Sequence, residues 1–184
     1  MKIHSVKFNF IMNFIMSASS IVFPLITFPY ISRVLMATGN GKVATASAVI
    51  TYFNMFASLG IPTYGIRACA KVRDDKEKLS KTVQELLIIN SITMFLTCIV
   101  FVVTVALVPE FAAEKELYII NGIGMVLNMF AITWLYNALE QYAYITVCNM
   151  VVKLLSLVLM FLLVHNPEDY IVYGGIIFID NVLF

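Results

Sequence analysis

The chain has 184 residues, 61% of them hydrophobic and 12% charged, with a mean hydropathy of +0.91. Soluble domains carry about a quarter charged residues, and a water-soluble fold of this size has too little interior to hide so much apolar surface. Soluble enzymes, disordered chains and nucleic-acid binders are therefore excluded, and 12 basic against 11 acidic side chains leave no basic footprint for DNA or RNA.

The composition calls for an all-α polytopic membrane protein. At about 20 mostly apolar residues per crossing, five complete spans fit, near 8–35, 43–66, 83–108, 117–139 and 147–164. A sixth opens at 170 and is still apolar at 184; fifteen helical residues reach only about 22 Å, short of a hydrocarbon core of about 30 Å, so this span is read as truncated. Lys2 and Lys7 ahead of an apolar run, with Ser17-Ala18-Ser19 after it, have the outline of a signal peptide. The run continues to Leu35, which favours a retained first span.

Orientation follows from the basic residues. With the N-terminus in the cytoplasm, that side holds Lys2, Lys7, Arg67, Lys71, Arg73, Lys76, Lys78 and Lys81, against Arg33, Lys42 and Lys115 on the other. The polar segment 67–82, with opposite charges such as Asp74 and Lys78 at helical spacing, extends a span into the cytoplasm. Asp74-Asp75 reads as a solvated helix face rather than a glycosyltransferase motif, because no loop is long enough to build a sugar-nucleotide pocket.

Charges near the bilayer centre cost about 2.5–3.5 kcal/mol on insertion scales, so they mark candidate sites. Arg67 and Glu85, at facing ends of the second and third spans, either pair or snorkel separately. Glu140 and Lys153 flank the turn between the fourth and fifth spans, and Lys153 either pairs with Glu140 or presents its ammonium to an anion in a cavity. Arg33 follows Pro24 and Pro29 at the outer end of the first span, where it can snorkel outward. Asp180 falls near mid-bilayer, the position of a candidate cation or proton site. Asn9, Asn13, Asn54, Asn90, Asn121 and Asn128 suit hydrogen bonds between helices, and Trp134, Tyr136, Tyr142 and Tyr144 suit an aromatic belt. Cys69, Cys98 and Cys148 lie far apart with no metal-ligand spacing. No phosphate loop, HExxH or GxSxG is present, so no catalytic residues, metal site or cofactor are expected.

Several runs resemble a known family. FPYISRVL (28–35), YFNMFASLGIPTYGIRACAKVRD (52–74), ELLIIN with Glu85 and Asn90, WLYNALEQYAYIT with Trp134 and Glu140, then Lys153 and Asp169-Tyr170, occur in order. They are similar to the N-terminal half of Wzx-type polysaccharide flippases, in the multidrug/oligosaccharidyl-lipid/polysaccharide exporter superfamily. Met36 stands where the family has glycine, and beyond Tyr173 the likeness thins. The resemblance implies the N-terminal lobe of a MATE-like fold, with a C-terminal lobe missing from this chain. It also implies translocation of undecaprenyl-pyrophosphate-linked oligosaccharide repeat units across the bacterial inner membrane, by alternating access around a cationic cavity. Arg33, Arg67 and Lys153 become pyrophosphate-attracting candidates, Glu85 and Glu140 gate partners, and Pro24, Pro29, Gly60, Pro62 and Gly65 hinge positions. Partners implied are the lipid-linked oligosaccharide, membrane lipids and the polysaccharide polymerase and chain-length machinery. Rival readings are a multidrug antiporter of the same superfamily, a non-transporting half-lobe scaffold, and a membrane-embedded enzyme.

Overall fold

The computed structural model describes residues 6–182, and the side chains of residues 7–179. Among them there is helix and no strand: α1 (Val6–Val34), α2 (Met36–Ser58), α3 (Ile61–Lys71), α4 (Lys76–Leu107), α5 (Pro109–Ala113), α6 (Lys115–Asn128), α7 (Thr133–Ala138), α8 (Tyr142–Leu163) and α9 (Tyr170–Val182), with a 3-10 turn at Pro167–Asp169. Four stretches are long and apolar enough to cross a membrane: Lys7–Val34, Lys76–Leu107, Lys115–Ala138 and Tyr142–Leu163. A fifth crossing follows if α2 and α3, bent by 40°, count as one span.

The helices overrun the apolar runs at several ends. α2 begins at Met36, directly after α1, rather than at 43, and α8 begins at Tyr142 rather than at 147. The early start of α8 is held by packing, since Ile145 and Thr146 are buried and Thr146 Oγ1 donates to Met12 O at 3.1 Å. The segment 67–82 is shared between α3, a short turn and α4. Its helical charge pair is Asp75 with Lys78, at 3.0 Å, rather than Asp74 with Lys78. Asp75 is the N-cap of α4, where its carboxylate accepts from Lys78 N and stands one turn from the ammonium.

Contacts fix how the helices run. Tyr30 bonds to Val164, Met12 to Thr146 and Ser20 to Lys153, at separations of 134, 134 and 133 residues, so α1 and α8 are parallel and in register. In the same way Leu117 meets Gly174 and Gly124 meets Phe178, making α6 and α9 parallel. α4 runs against α2, with Thr93 at Ala57 and Phe101 at Phe53. The start of α1 therefore shares one end of the bundle with the start of α8.

Two of the long helical stretches are broken. α2 stops at Leu59 and Gly60, both with left-handed backbone (φ 43° and 75°), and α3 restarts with Pro62 in its first turn, where proline's missing N–H leaves no bond unmade. α6 stops at Asn128 and α7 restarts at Thr133, with neither glycine nor proline between. α4 is continuous beside both gaps. Its Thr93 Oγ1 donates to Ala57 O at 2.6 Å and its Asn90 Nδ2 to Met129 O at 3.4 Å. Carbonyls freed by a broken helix need such partners inside a membrane.

Beyond the breaks, α3 packs on α7 and on the first part of α4 around Ile61, Cys69, Leu86, Trp134 and Ala138. A separate cluster of Val43, Ala46, Phe101, Leu117 and Met125 joins α2, α4 and α6. A third, with Ile31, Leu35, Met160, Val164 and Ile176, joins α1, α8 and α9.

Candidate functional site

The polar residues Asn13, Ser17, Ser20 and Thr27 share one face of α1 with Pro24, at spacings of three or four positions. A flanking face, about a quarter-turn round the helix, presents Phe14, Ile21, Leu25 and Phe28, all largely exposed, as a lipid-facing surface would be. α1 lies against α8 on an adjacent face, and there the polar stripe meets Lys153. The Lys153 ammonium donates to Ser20 Oγ at 3.0 Å and stands 6.0 Å from the centre of the Phe23 ring. With α8 starting at Tyr142, Lys153 lies eleven residues in, about 16 Å from that end and a similar distance from the other. That is the middle of the helix, deeper than an apolar run starting at 147 would place it.

A cavity of about 90 Å³ opens beside this contact, between Phe23, Pro24 and Thr27 of α1, Lys153 and Ser156 of α8, and Tyr173 of α9. Ser156 Oγ is shielded from solvent and has no hydrogen-bond partner among the described residues. Among the described residues no carboxylate lines the cavity or pairs with Lys153. The site thus offers one cation and several hydroxyls in an apolar frame, which suits a ligand rich in anionic oxygen.

The other candidates lie apart from it. Glu140 does not reach Lys153, because three turns of α8 separate them; it pairs instead with Arg73, at 2.8 Å, across the turns preceding α4 and α8. Glu140 sits at φ 56°, a left-handed conformation uncommon outside glycine. Arg67 and Glu85 do not pair with each other; both are exposed, and among the described residues neither makes an ion pair. Arg33 is exposed in the last turn of α1, thirteen residues and about 20 Å beyond Ser20. Arg33, Lys153 and Arg67 therefore occupy separate levels rather than one cluster. α1 runs unbroken through Pro24 and Pro29. The side chain of Asp180 lies outside the described residues.

Two features escaped the reading of isolated charges. One is the polar stripe on α1, whose signal is its three-to-four spacing. The other is a clamp at the end opposite Arg73. There Lys42 pairs with Glu114 at 2.5 Å, Tyr170 donates to Glu114 Oε2 at 2.7 Å, and the Lys42 ammonium lies 4.6 Å from the centre of the Tyr170 ring. The hydrogen bonds from Lys42 and then Tyr170 hold the Glu114 carboxyl below the ordinary glutamate range.

Residues 6–183 match the family described as polysaccharide biosynthesis protein. Over 174 residues the chain is 26% identical to a protein of Escherichia coli (strain K12) named "Putative O-antigen transporter", covering 94% of this chain and 41% of that protein. Over 165 residues it is 25% identical to a Shigella dysenteriae protein of the same name, covering 90% of this chain and 41% of the relative. The chain thus spans about two-fifths of the length of these relatives. No solved structure matches it.

Proposed function

Because this chain belongs to the polysaccharide biosynthesis protein family, we propose that it forms the N-terminal lobe of a flippase for undecaprenyl-pyrophosphate-linked oligosaccharide repeat units. The setting is the bacterial inner membrane, where such units feed O-antigen, capsular or exopolysaccharide assembly. The observation that carries the reading is Lys153, a mid-helix cation bonded to Ser20, beside a cavity with no carboxylate among its described residues. A cation at that depth is costly unless a wet cavity or an anion compensates it, and a pyrophosphate crossing hydrocarbon has the converse need. Binding at mid-span between helices is the usual arrangement in transporters that work by alternating access.

In this reading the α1 stripe and Lys153 face the space between this lobe and a second one, which completes the transporter. The Arg73 end, which also carries Lys7, Arg67, Lys71, Lys76, Lys78 and Lys81, lies in the cytoplasm. Arg67 there and Arg33 at the far end serve as entry and exit attractions for the pyrophosphate. The α3–α7 block moves on the two breaks, Leu59–Gly60 and 129–132, with Asn90 and Thr93 of α4 holding the pivots. The Arg73–Glu140 pair closes that block against the turn before α8.

Deleting the gene tests this. Surface polysaccharide should be lost and undecaprenyl-pyrophosphate-linked repeat units should accumulate in the inner membrane. Unchanged surface polysaccharide would overturn the proposal. A multidrug antiporter would instead predict altered drug sensitivity with surface glycan intact.

A further inference from the structure

A second polar cavity, of about 160 Å³, lies between α2, α6 and α9, apart from Lys153. Ser47, Thr51 and Asn54 enter it from one face of α2, and Asn121 and Asn128 from α6, with Phe178 of α9 closing a side. Its described lining contains no carboxylate, imidazole or thiol.

Among the described residues Asn54 Oδ1, shielded from solvent, accepts no hydrogen bond, a costly state for a buried polar oxygen. Thr51 spends its hydroxyl proton on Ser47 O at 2.8 Å, which leaves its oxygen only lone pairs to offer. Asn121 turns its amide nitrogen to Leu117 O at 2.8 Å, leaving its oxygen as an acceptor. At one edge of the cavity Asn54 and Asn128 stand within about a turn of the ends of α2 and α6, at Ser58 and Asn128. Each helix C-terminus carries a partial negative charge. Acceptor oxygens therefore line a cavity where no described side chain supplies a positive charge, with the negative helix ends at its Asn54–Asn128 edge.

We infer that this cavity binds a single alkali cation of sodium size, held by oxygens of Asn54, Asn121, Thr51 and Ser47. Hard neutral oxygens suit such an ion. Divalent ions recruit carboxylates, and the softer transition metals take imidazole or thiolate, which the described lining lacks. Half-helix C-terminal ends are a recurrent way to seat monovalent cations in transporters. A bound ion would join α2 to α6 one turn above the two breaks. This inference does not rest on the transport reading, and its test needs no substrate.

The test is thermal unfolding of the purified intact protein in detergent, in sodium chloride against choline chloride of equal ionic strength, with equilibrium 22Na⁺ binding alongside. Sodium should raise Tm saturably and bind at one site per chain. Thr51→Val, which keeps the shape and removes the hydroxyl, should weaken binding, and Asn54→Ala should abolish it. Asn54→Asp should tighten binding about tenfold, the difference between a neutral and a charged partner. If the cavity holds only water, Asn54→Asp will bury an uncompensated carboxylate, lower Tm and give no sodium response. That outcome, or a wild-type Tm that does not distinguish the two salts, would overturn the inference. A sodium response unchanged in both Thr51→Val and Asn54→Ala would overturn the location.

Discussion

Gly65 lies against the indole of Trp134 so closely that a Cβ at 65 would stand 2.6 Å from Cε3. The contact joins α3 to α7, the two short helices beyond the breaks. Both pieces are too short to be stable alone, so their packing makes them one block. Gly65→Ala must displace a buried ring, and overpacking of this kind costs about 1–3 kcal/mol. Thermal unfolding in detergent should show a lowered Tm, and Trp134→Leu added to Gly65→Ala should restore part of it. An unchanged Tm for Gly65→Ala would remove the close contact from the account.

Thr93 and Asn90 hold the upper edge of that block. Polar contacts between membrane helices are worth about 0.6 kcal/mol on average and up to about 1.7. The 2.6 Å bond of Thr93 should lie above the 3.4 Å bond of Asn90. Thr93→Val is therefore expected to lower stability more than Asn90→Leu in denaturant unfolding. The reverse order would argue against the pivot described for α4.

Glu114 makes the far-end clamp sensitive to acid. Its folded pKa is lowered, so its contribution is fully present above the unfolded glutamate value and is lost as pH falls through the folded one. Tm should therefore decline on acidification through and below the ordinary glutamate range, and Glu114→Gln should flatten that decline. Asp75 and Asp169 are also lowered, Asp75 first by Lys78 and Asp169 by the backbone N–H of His165 and Asn166, so some decline will persist. An acid limb identical in Glu114→Gln would contradict the clamp.

The Arg73–Glu140 pair is exposed, so its removal should cost only about 0–1 kcal/mol. Its importance should appear in motion. With Cys69, Cys98 and Cys148 replaced, Arg73→Cys and Glu140→Cys should join through a short bis-methanethiosulfonate linker, which spans the reach of the arginine, and stop transport, and reductant should restore it. Full transport in the cross-linked protein would show that the α3–α7 block need not move.

Hydropathy placed the long helices because an apolar run of about twenty residues has few alternatives in a membrane. It missed the first turns at Met36 and Tyr142, where helix continues past the apolar signal, while the extension at Lys76 was legible in the charge spacing of 67–82. The break in the second span is written locally, in Gly60 and Pro62. The break at 129–132 is not, because its partner Asn90 comes from another helix. Charge arithmetic singled out Lys153 and Glu140 but left open whether they pair. The true partners, Ser20 and Arg73, depend on where α8 starts and which helices run parallel, and spacing along the chain does not encode either.

The most direct test of Lys153 as the mid-span anchor is flipping in vesicles. The intact protein is reconstituted with a fluorescent undecaprenyl-pyrophosphate-linked oligosaccharide, and the fraction protected from an external quencher is followed over time. Flipping above protein-free vesicles is expected, with a loss of about tenfold or more in Lys153→Gln, the scale of one charge-assisted contact to phosphate. Lys153→Arg should retain most of the activity. Equal flipping by wild type and Lys153→Gln, or wild-type flipping no faster than in empty vesicles, would contradict that role.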